Sequence, residues 1–465
     1  MTDQTKTLVG NPSASLDLPE DLTRRLIELV REIDFMSLPI DVQRRARHSL
    51  TDTLGVAAFG SVAEAVGALR RVVLDPLGDG GATVFGPDPV RANPAVAAML
   101  NGLAGHIRDF DDAGAGGHVS AVIVPAALAL AELNEASGVE LLSAMVCGYE
   151  VASRVNRLLT MSHYYLGFHS SGTVGTFGAT AAACRMLQLS ADEWAMAFGI
   201  AGSLASGLLA NFGSMTKPLH SANAARAGVL AARLAKEGFT GSAGILEHNA
   251  GFVRTHTLSS DATAALSPLG APWALDDMIY KFNAACSGTH SGGDGIRRLV
   301  AEHGVAVDDV ERIRLRVPRI QTEVANIQWP VTVEQAKFSV RFVAAAALLG
   351  IDTGARFPSL DSEIVDPGVT AAIGLVEVSA LAGVDHGGAA EIEMYLKNGD
   401  VLATSLNSMV PFDDLDLEWA AVEAKFRQTA STLWGPTALD EALGRLAHFE
   451  REPSVHAFIT DLTGF

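Results

Sequence analysis

Three carboxylates, Asp109, Asp111 and Asp112, fall within four residues, and a glycine-rich turn leads from them to His118. Acids and an imidazole around a flexible turn are costly to bury, so the pattern marks a cleft where protons or cations are handled. A helix cap is the competing reading: Asp111, Asp112 or Ser120 could satisfy the free amides of the apolar helix expected after Pro125.

Three other stretches concentrate polar side chains. Gly167-Phe-His169-Ser170-Ser171-Gly-Thr-Val-Gly175 precedes an alanine-rich segment and could offer backbone amides at a helix start to a carboxylate. His169 could equally do no more than close that helix. The glycines follow no strand, so they do not form a dinucleotide fingerprint. Thr216-Lys217-Pro-Leu-His220 puts a cation at a helix start, against the dipole, and a bound anion would supply the reason. A solvated lysine is the plain alternative. In Lys281-Phe-Asn-Ala-Ala-Cys286-Ser-Gly-Thr-His290, a thiol near a lysine predicts a lowered thiol pKa, whereas a free cysteine is more often inert and buried.

Two other chemistries find weak support. A magnesium-dependent diphosphate enzyme needs a second acidic motif, and Asp192-Glu193 is a poor one. No Gly-x-Ser-x-Gly elbow supports a serine hydrolase.

Elements able to position these residues are legible in the periodicity. At 465 residues the chain predicts two domains. Residues 1–18 read as a loose polar arm. From about Pro19 to about Gly270 helical spacing runs nearly throughout, dense in alanine, as in Ala121–Ala136 and Ala222–Ala235. After Pro272 the texture changes. Val310–Val317 alternates apolar and charged residues as a strand should. Glu391–Leu396 and Val401–Thr404 flank an Asn-Gly turn, and Leu375–Ser379 is a further strand candidate. Helices near Gly293–Gly304, Ser339–Leu349 and Asp366–Ala372 interleave with them. Helical texture returns at Asp416–Gln428 and Ala438–Ala447. The expectation is a mainly α protein: a large all-α domain over residues 1–271 and 410–465, and a smaller α+β lid domain over residues 272–409.

Composition narrows the partners. The chain is 48% hydrophobic and 19% charged, which suits large buried faces. With 34 basic against 53 acidic residues, a net charge of −19 disfavours nucleic acid and anionic membranes. Cys147, Cys184 and Cys286 make neither a disulfide framework nor a C-x-x-C metal pair. The polar N-terminus lacks a signal core, and the run Val119–Leu133 is shorter than the roughly 20 residues that span a bilayer. A cytoplasmic protein without a membrane span is expected.

Taken in order, these blocks resemble the MmgE/PrpD family. The matching residues include Leu50-Thr-Asp-Thr-Leu-Gly55, Asn101-Gly102, His106, Asp109-Phe-Asp-Asp112, His118-x-Ser120, Gly148-Tyr-Glu150, Gly167-Phe-His169, Lys217-Pro-Leu-His220, Lys281 and Glu334-x-Ala-Lys-Phe-Ser339. The resemblance implies a helical domain topped by an α+β lid, with the site between them. It also implies a homodimer, no required metal or organic cofactor, and a small anionic di- or tricarboxylic acid as substrate. Family activities are 2-methylcitrate dehydration, cis-aconitate decarboxylation and iminodisuccinate epimerisation. Asp109, His118, His169, Lys217 and Lys281 carry over from the active-site pattern described for the decarboxylase.

Other positions depart from that pattern. Ala113 stands for threonine, the loop to His118 is one residue shorter, Cys286 stands for histidine, and Val324 lies near the expected tyrosine. Losing three polar groups argues against cis-aconitate decarboxylation, and a gained thiol tips the balance to an epimerase of the iminodisuccinate type. A dehydratase is the alternative, and a non-catalytic carboxylate-binding paralogue a further one. In the expected mechanism, Lys217, Ser170, Ser171, His220 and His290 hold the substrate. His118 and the Lys281–Cys286 segment exchange the α-proton, His169 completes the catalytic set, and Asp109 orients a histidine.

Overall fold

The computed structural model describes residues 16–75, 80–270 and 272–465. Most of the arm expected over residues 1–18 lies outside the described residues, as does residue 271, where the sequence predicts the first domain to end.

Long helices at Ile40–Gly60, Pro94–His106, Ser120–Leu133, Gly138–Tyr165, Ser170–Met186 and Thr216–Lys236 form the larger part. Their alanine and glycine faces bring backbones close together. A Cβ on Gly228 would lie 2.5 Å from the Ala179 Cβ, so a larger residue there has no room. The helix Leu415–Ala430 packs back onto Ile40–Gly60, with Arg45 donating to Glu418 at 2.8 Å.

The sequence expectation differs from the structure at two places here. The helix expected after Pro125 begins at Ser120, with Pro125 inside it and no side-chain cap. The missing Pro125 N–H leaves the Ala121 carbonyl without its helical donor, and Gly102 lets the neighbouring helix close on that carbonyl. A short hairpin, β1 (Ala82–Val84) and β2 (Val90–Ala92), interrupts the helical run. Its turn holds Pro87 and Pro89, which a helix interior excludes.

The smaller part is built on one mixed sheet. Strands β3 (Val310–Val317), β4 (Val376–Ala380), β5 (Ala389–Leu396) and β6 (Val401–Asn407) lie in the order β4-β3-β5-β6. Strand β3 is parallel to β4 and antiparallel to β5, and β5 pairs antiparallel with β6. One face carries Ile313, Leu315 and Val317 against Ile296 and Leu299 of the helix His290–His303 and Val340 of Val340–Leu348. The other face pairs Arg314 and Arg316 with Glu391 and Glu393. Such half-exposed pairs contribute about 0–1 kcal/mol each, so the apolar face holds the layer together. The molecule is mainly α with one small mixed sheet, and no helix among the described residues is long and apolar enough to cross a membrane.

Candidate active site

Past the end of the helix Pro94–His106 the chain turns at Asp109, whose φ of +52° lies in the left-handed region. A non-glycine residue there costs about 1 kcal/mol or more, and the local contacts hold it. The turn aims the Asp109 carboxylate at two lysines. Lys217, from the first turn of the helix Thr216–Lys236, donates to Oδ2 at 2.8 Å. Lys281 donates to Oδ1 at 2.5 Å. A backbone bridge between Ala113 and Ile279 brings the two segments side by side. Burial alone would raise the Asp109 carboxyl. Lys217 and Lys281 outweigh it and hold that group well below the usual carboxylate range. Lys281 also loses by burial, and Asp109 more than restores its charge, leaving it above an ordinary lysine.

Behind this pair lies a row of imidazoles. His106 Nδ1 meets Asp111 Oδ2 at 2.9 Å, and the two side chains are almost wholly buried. The His118 ring lies 4.8 Å from that of His106, centroid to centroid. His118 Nδ1 donates to the Asp112 carbonyl at 2.7 Å. A carbonyl only accepts, so neutral His118 carries its lone pair on Nε2. Burial, and then the Lys281 charge, push His118 well below an ordinary histidine. Its backbone N–H donates to Ser171 Oγ at 3.0 Å, and a Cβ on Gly117 would lie only 2.9 Å from that oxygen. His169 Nδ1 lies 3.0 Å from His220 Nδ1, and burial lowers both rings, His220 to about 4.

Gly116, His118, His169, Ser170, Ser171, Phe212, Lys217, Cys286, Val324 and His386 help line one cavity of about 330 Å³. The start of the helix Ser170–Met186 lies on its wall, so partial positive charge faces it, and Lys217 reaches it from the first turn of Thr216–Lys236. The rings of Phe212 and Phe338 lie 5.4 and 5.1 Å from Lys217 Nζ, a desolvated setting that sharpens the cation's pull on an anion.

Several expected site residues sit elsewhere. Asp109 and Lys281 stand behind the cavity wall, and His220 backs His169. Asp109 orients lysines; it is Asp111 that engages a histidine. His290 lines a separate cavity of about 510 Å³ with Phe282, Asn283 and Arg297, and its Nε2 faces the Ala285 carbonyl at 3.1 Å. The lowered thiol pKa expected for Cys286 is corrected: burial first, and then the Asp109 charge, raise it. Asp192, the poor second acidic motif, pairs with Arg24 at the surface. Sequence reasoning did not single out Lys337 as a site residue, although its block was in view. His106 was likewise left without a role there, and Asp111 was read only as one of the clustered acids or as a helix cap.

His106, Asp109, Asp111 and His118 place one donor atom each within 4.8 Å of one another. Two ammonium groups already hold Asp109, and His106 Nδ1 is committed to Asp111. That donor set fits an ion-paired network better than a divalent-cation cage.

Fold and site together define a mainly helical protein whose cavity is lined by Lys217 and buried imidazoles. The chain belongs to the MmgE/PrpD family: residues 24–265 match the MmgE/PrpD N-terminal domain and residues 284–443 the MmgE/PrpD C-terminal domain. It is 34% identical over 351 residues to cis-aconitate decarboxylase of Homo sapiens, covering 72% of each chain. To cis-aconitate decarboxylase of Mus musculus it is 31% identical over 368 residues, covering 75% of this chain and 73% of the other. A cis-aconitate decarboxylase-like protein, oryM, of Aspergillus oryzae is 28% identical over 355 residues, 71% of this chain and 73% of that one. These relatives are named for lyase chemistry, which overturns the isomerase expected from the departures at Ala113, Cys286 and Val324.

Proposed function

We propose that this chain is a lyase that decarboxylates a small tricarboxylic acid of the cis-aconitate type. The observation that carries the reading is the meeting of the Ser170–Met186 helix start, Lys217 and the neutral His118 on one cavity of about 330 Å³. That size suits a six-carbon acid with its carboxylates anchored.

In a β,γ-unsaturated tricarboxylate the CH2 arm loses its carboxylate as CO2. The broken C–C pair becomes a new CH2=C bond. The former π pair moves to the neighbouring carbon, where the attached carboxylate takes it up as an enediolate. A proton from His118 Nε2 closes the step, so a trianion and a proton give a dianion and CO2. The acid supplies its own electron sink, and the step needs no cofactor. Lys217 and the amides at Ser170 and Ser171 stabilise the developing charge in a partly desolvated site. The bound trianion raises the proton affinity of His118, which burial and then Lys281 depress in its absence, so Nε2 takes up the proton it delivers. A cytoplasmic homodimer with the sheet layer as a lid belongs to the same reading, and sedimentation tests the dimer.

Proton NMR in deuterated water tests the reaction, with cis-aconitate, citrate and 2-methylcitrate as candidate substrates. A new terminal alkene, one deuterium in the retained CH2 and release of CO2 are expected from cis-aconitate. Alkene formation from a hydroxy acid without CO2 would establish a dehydratase instead. That second reading draws on Cys286 and Val324, two of the departures, which both line the cavity.

A further inference from the structure

Lys337 is a third lysine of this region. It caps the short helix Val333–Ala336, is 3% exposed, and donates to the Ile107 carbonyl at 3.1 Å. Its own carbonyl accepts from Cys286 N at 2.9 Å. With His106, Asp109, Lys217, Glu334 and Phe338 it lines a chamber of about 20 Å³, and Lys217 borders both this chamber and the larger cavity. His106 Nε2 is buried and has no hydrogen-bond partner.

Counting charge shows what Lys337 adds. Asp109 and Asp111 are balanced by Lys217 and Lys281, while Arg108 balances Glu334. The neutral imidazoles of His106 and His118 add nothing. Lys337 is the odd charge. The groups facing it are Glu334 from its own turn, Arg108 and Asp109 from the loop after Pro94–His106, and Lys217 from the helix opposite. Burial lowers Lys337 to about 8, so its charge changes within the working range of an ordinary enzyme.

We propose that Lys337 is a positioning residue whose proton sets the net charge that the pocket offers to a polycarboxylate. Charged, it makes the pocket cationic and favours an anion on Lys217. Neutral, it leaves the pocket balanced and binding weakens. The inference rests on the carboxylate reading above and assigns the pH dependence of binding to one side chain that does not touch the substrate.

The test is calorimetry with propane-1,2,3-tricarboxylate, which has no double bond to react, in two pH 8 buffers of different ionisation enthalpy. KM and kcat are measured against pH alongside it. The wild-type protein takes up protons on binding near pH 8. Its KM rises about tenfold in all above that point and then levels off, with kcat little changed. Lys337→Arg keeps the charge, so the rise disappears and the uptake falls to the share that His118 takes up. Lys337→Met raises KM at pH 7 by about tenfold and flattens its pH profile. Absence of proton uptake by the wild-type protein overturns the proposal without any variant, as does a Lys337→Arg profile that matches wild type. If no tricarboxylate binds at any pH, the carboxylate reading itself fails and takes this inference with it. Binding without pH dependence sinks the inference alone.

Discussion

Two buried aspartates face lysines in this molecule, and their carboxyl groups are pushed in opposite directions. Asp52, on the helix Ile40–Gly60, has Lys425 Nζ 2.6 Å away, and Lys425 also donates to the Phe110 carbonyl at 2.6 Å. There burial dominates, and the Asp52 carboxyl is raised despite its lysine. Asp109 is as deeply buried, but it has two lysines and is held well below the usual range. One cation does not offset desolvation here, whereas two do. The second cation also has a chemical consequence. In the proposed function a substrate carboxylate on Lys217 would share that cation, while Lys281 stays with Asp109. Lys425 has no such freedom, because leaving Asp52 would strand it.

Substitutions sharpen that contrast, with activity on one side and stability on the other. The largest effect is expected from His118→Ala, which should lower kcat by about 10²–10⁴-fold and leave the melting temperature nearly unchanged. Full turnover in that variant would remove the proton donor from the scheme. Lys217→Met places an apolar side chain between Phe212 and Phe338 and leaves Asp109 its Lys281. Turnover should fall about 10²-fold, with a smaller loss of stability than Lys425→Met causes, because Asp109 keeps Lys281. Lys425→Met should do the reverse, costing about 3–5 kcal/mol in a denaturant titration while the folded fraction keeps its turnover. If Lys217→Met unfolds the protein as readily as Lys425→Met, the contrast between the two sites is broken.

Acid should act on stability through the buried histidines. His163, pushed down to about 4 by burial, binds protons more readily unfolded than folded between about 4 and 6.5. Stability therefore rises with pH through that window. It is complete above about 6.5 and is lost as pH falls, on the order of 3 kcal/mol for this ring. His106, His118 and His169 act in the same direction. A melting temperature that holds constant from pH 7 to pH 4.5 would contradict this. The smallest effect is expected at Cys286. Its thiol is held protonated, so Cys286→Ser should change kcat less than about tenfold and leave the pH profile in place.

Much of the architecture was legible along the chain. Alternation marked β3 to the residue, and the Asn-Gly turn fixed the inner ends of β5 and β6 while their outer ends run two and three residues further, because strand faces and hairpin turns are local properties. The apolar run Val119–Leu133 marked the buried helix Ser120–Leu133 within a residue, whereas a start after Pro125 came too late, since proline reads as a boundary unless a neighbour such as Gly102 compensates for it. Within the site, Asp109, His118, His169 and Lys217 were found because their residue types are rare in apolar, glycine-rich surroundings. The partner of each was not found. Asp109 meets lysines 108 and 172 positions away, and nothing local distinguishes that outcome from a bond to the histidine nearby.

What the amino-acid order determined by itself was which segments become helix or strand, where the texture changes, and which family the blocks match. Those features depend on neighbours within a turn or a pleat. Tertiary structure alone decided that Asp109 carries two lysines, that the Cys286 thiol is raised rather than lowered, that His290 faces another cavity, and that Lys337 backs the site. Desolvation and electric field at an atom are sums over everything packed around it, and most of that surrounding comes from distant parts of the chain.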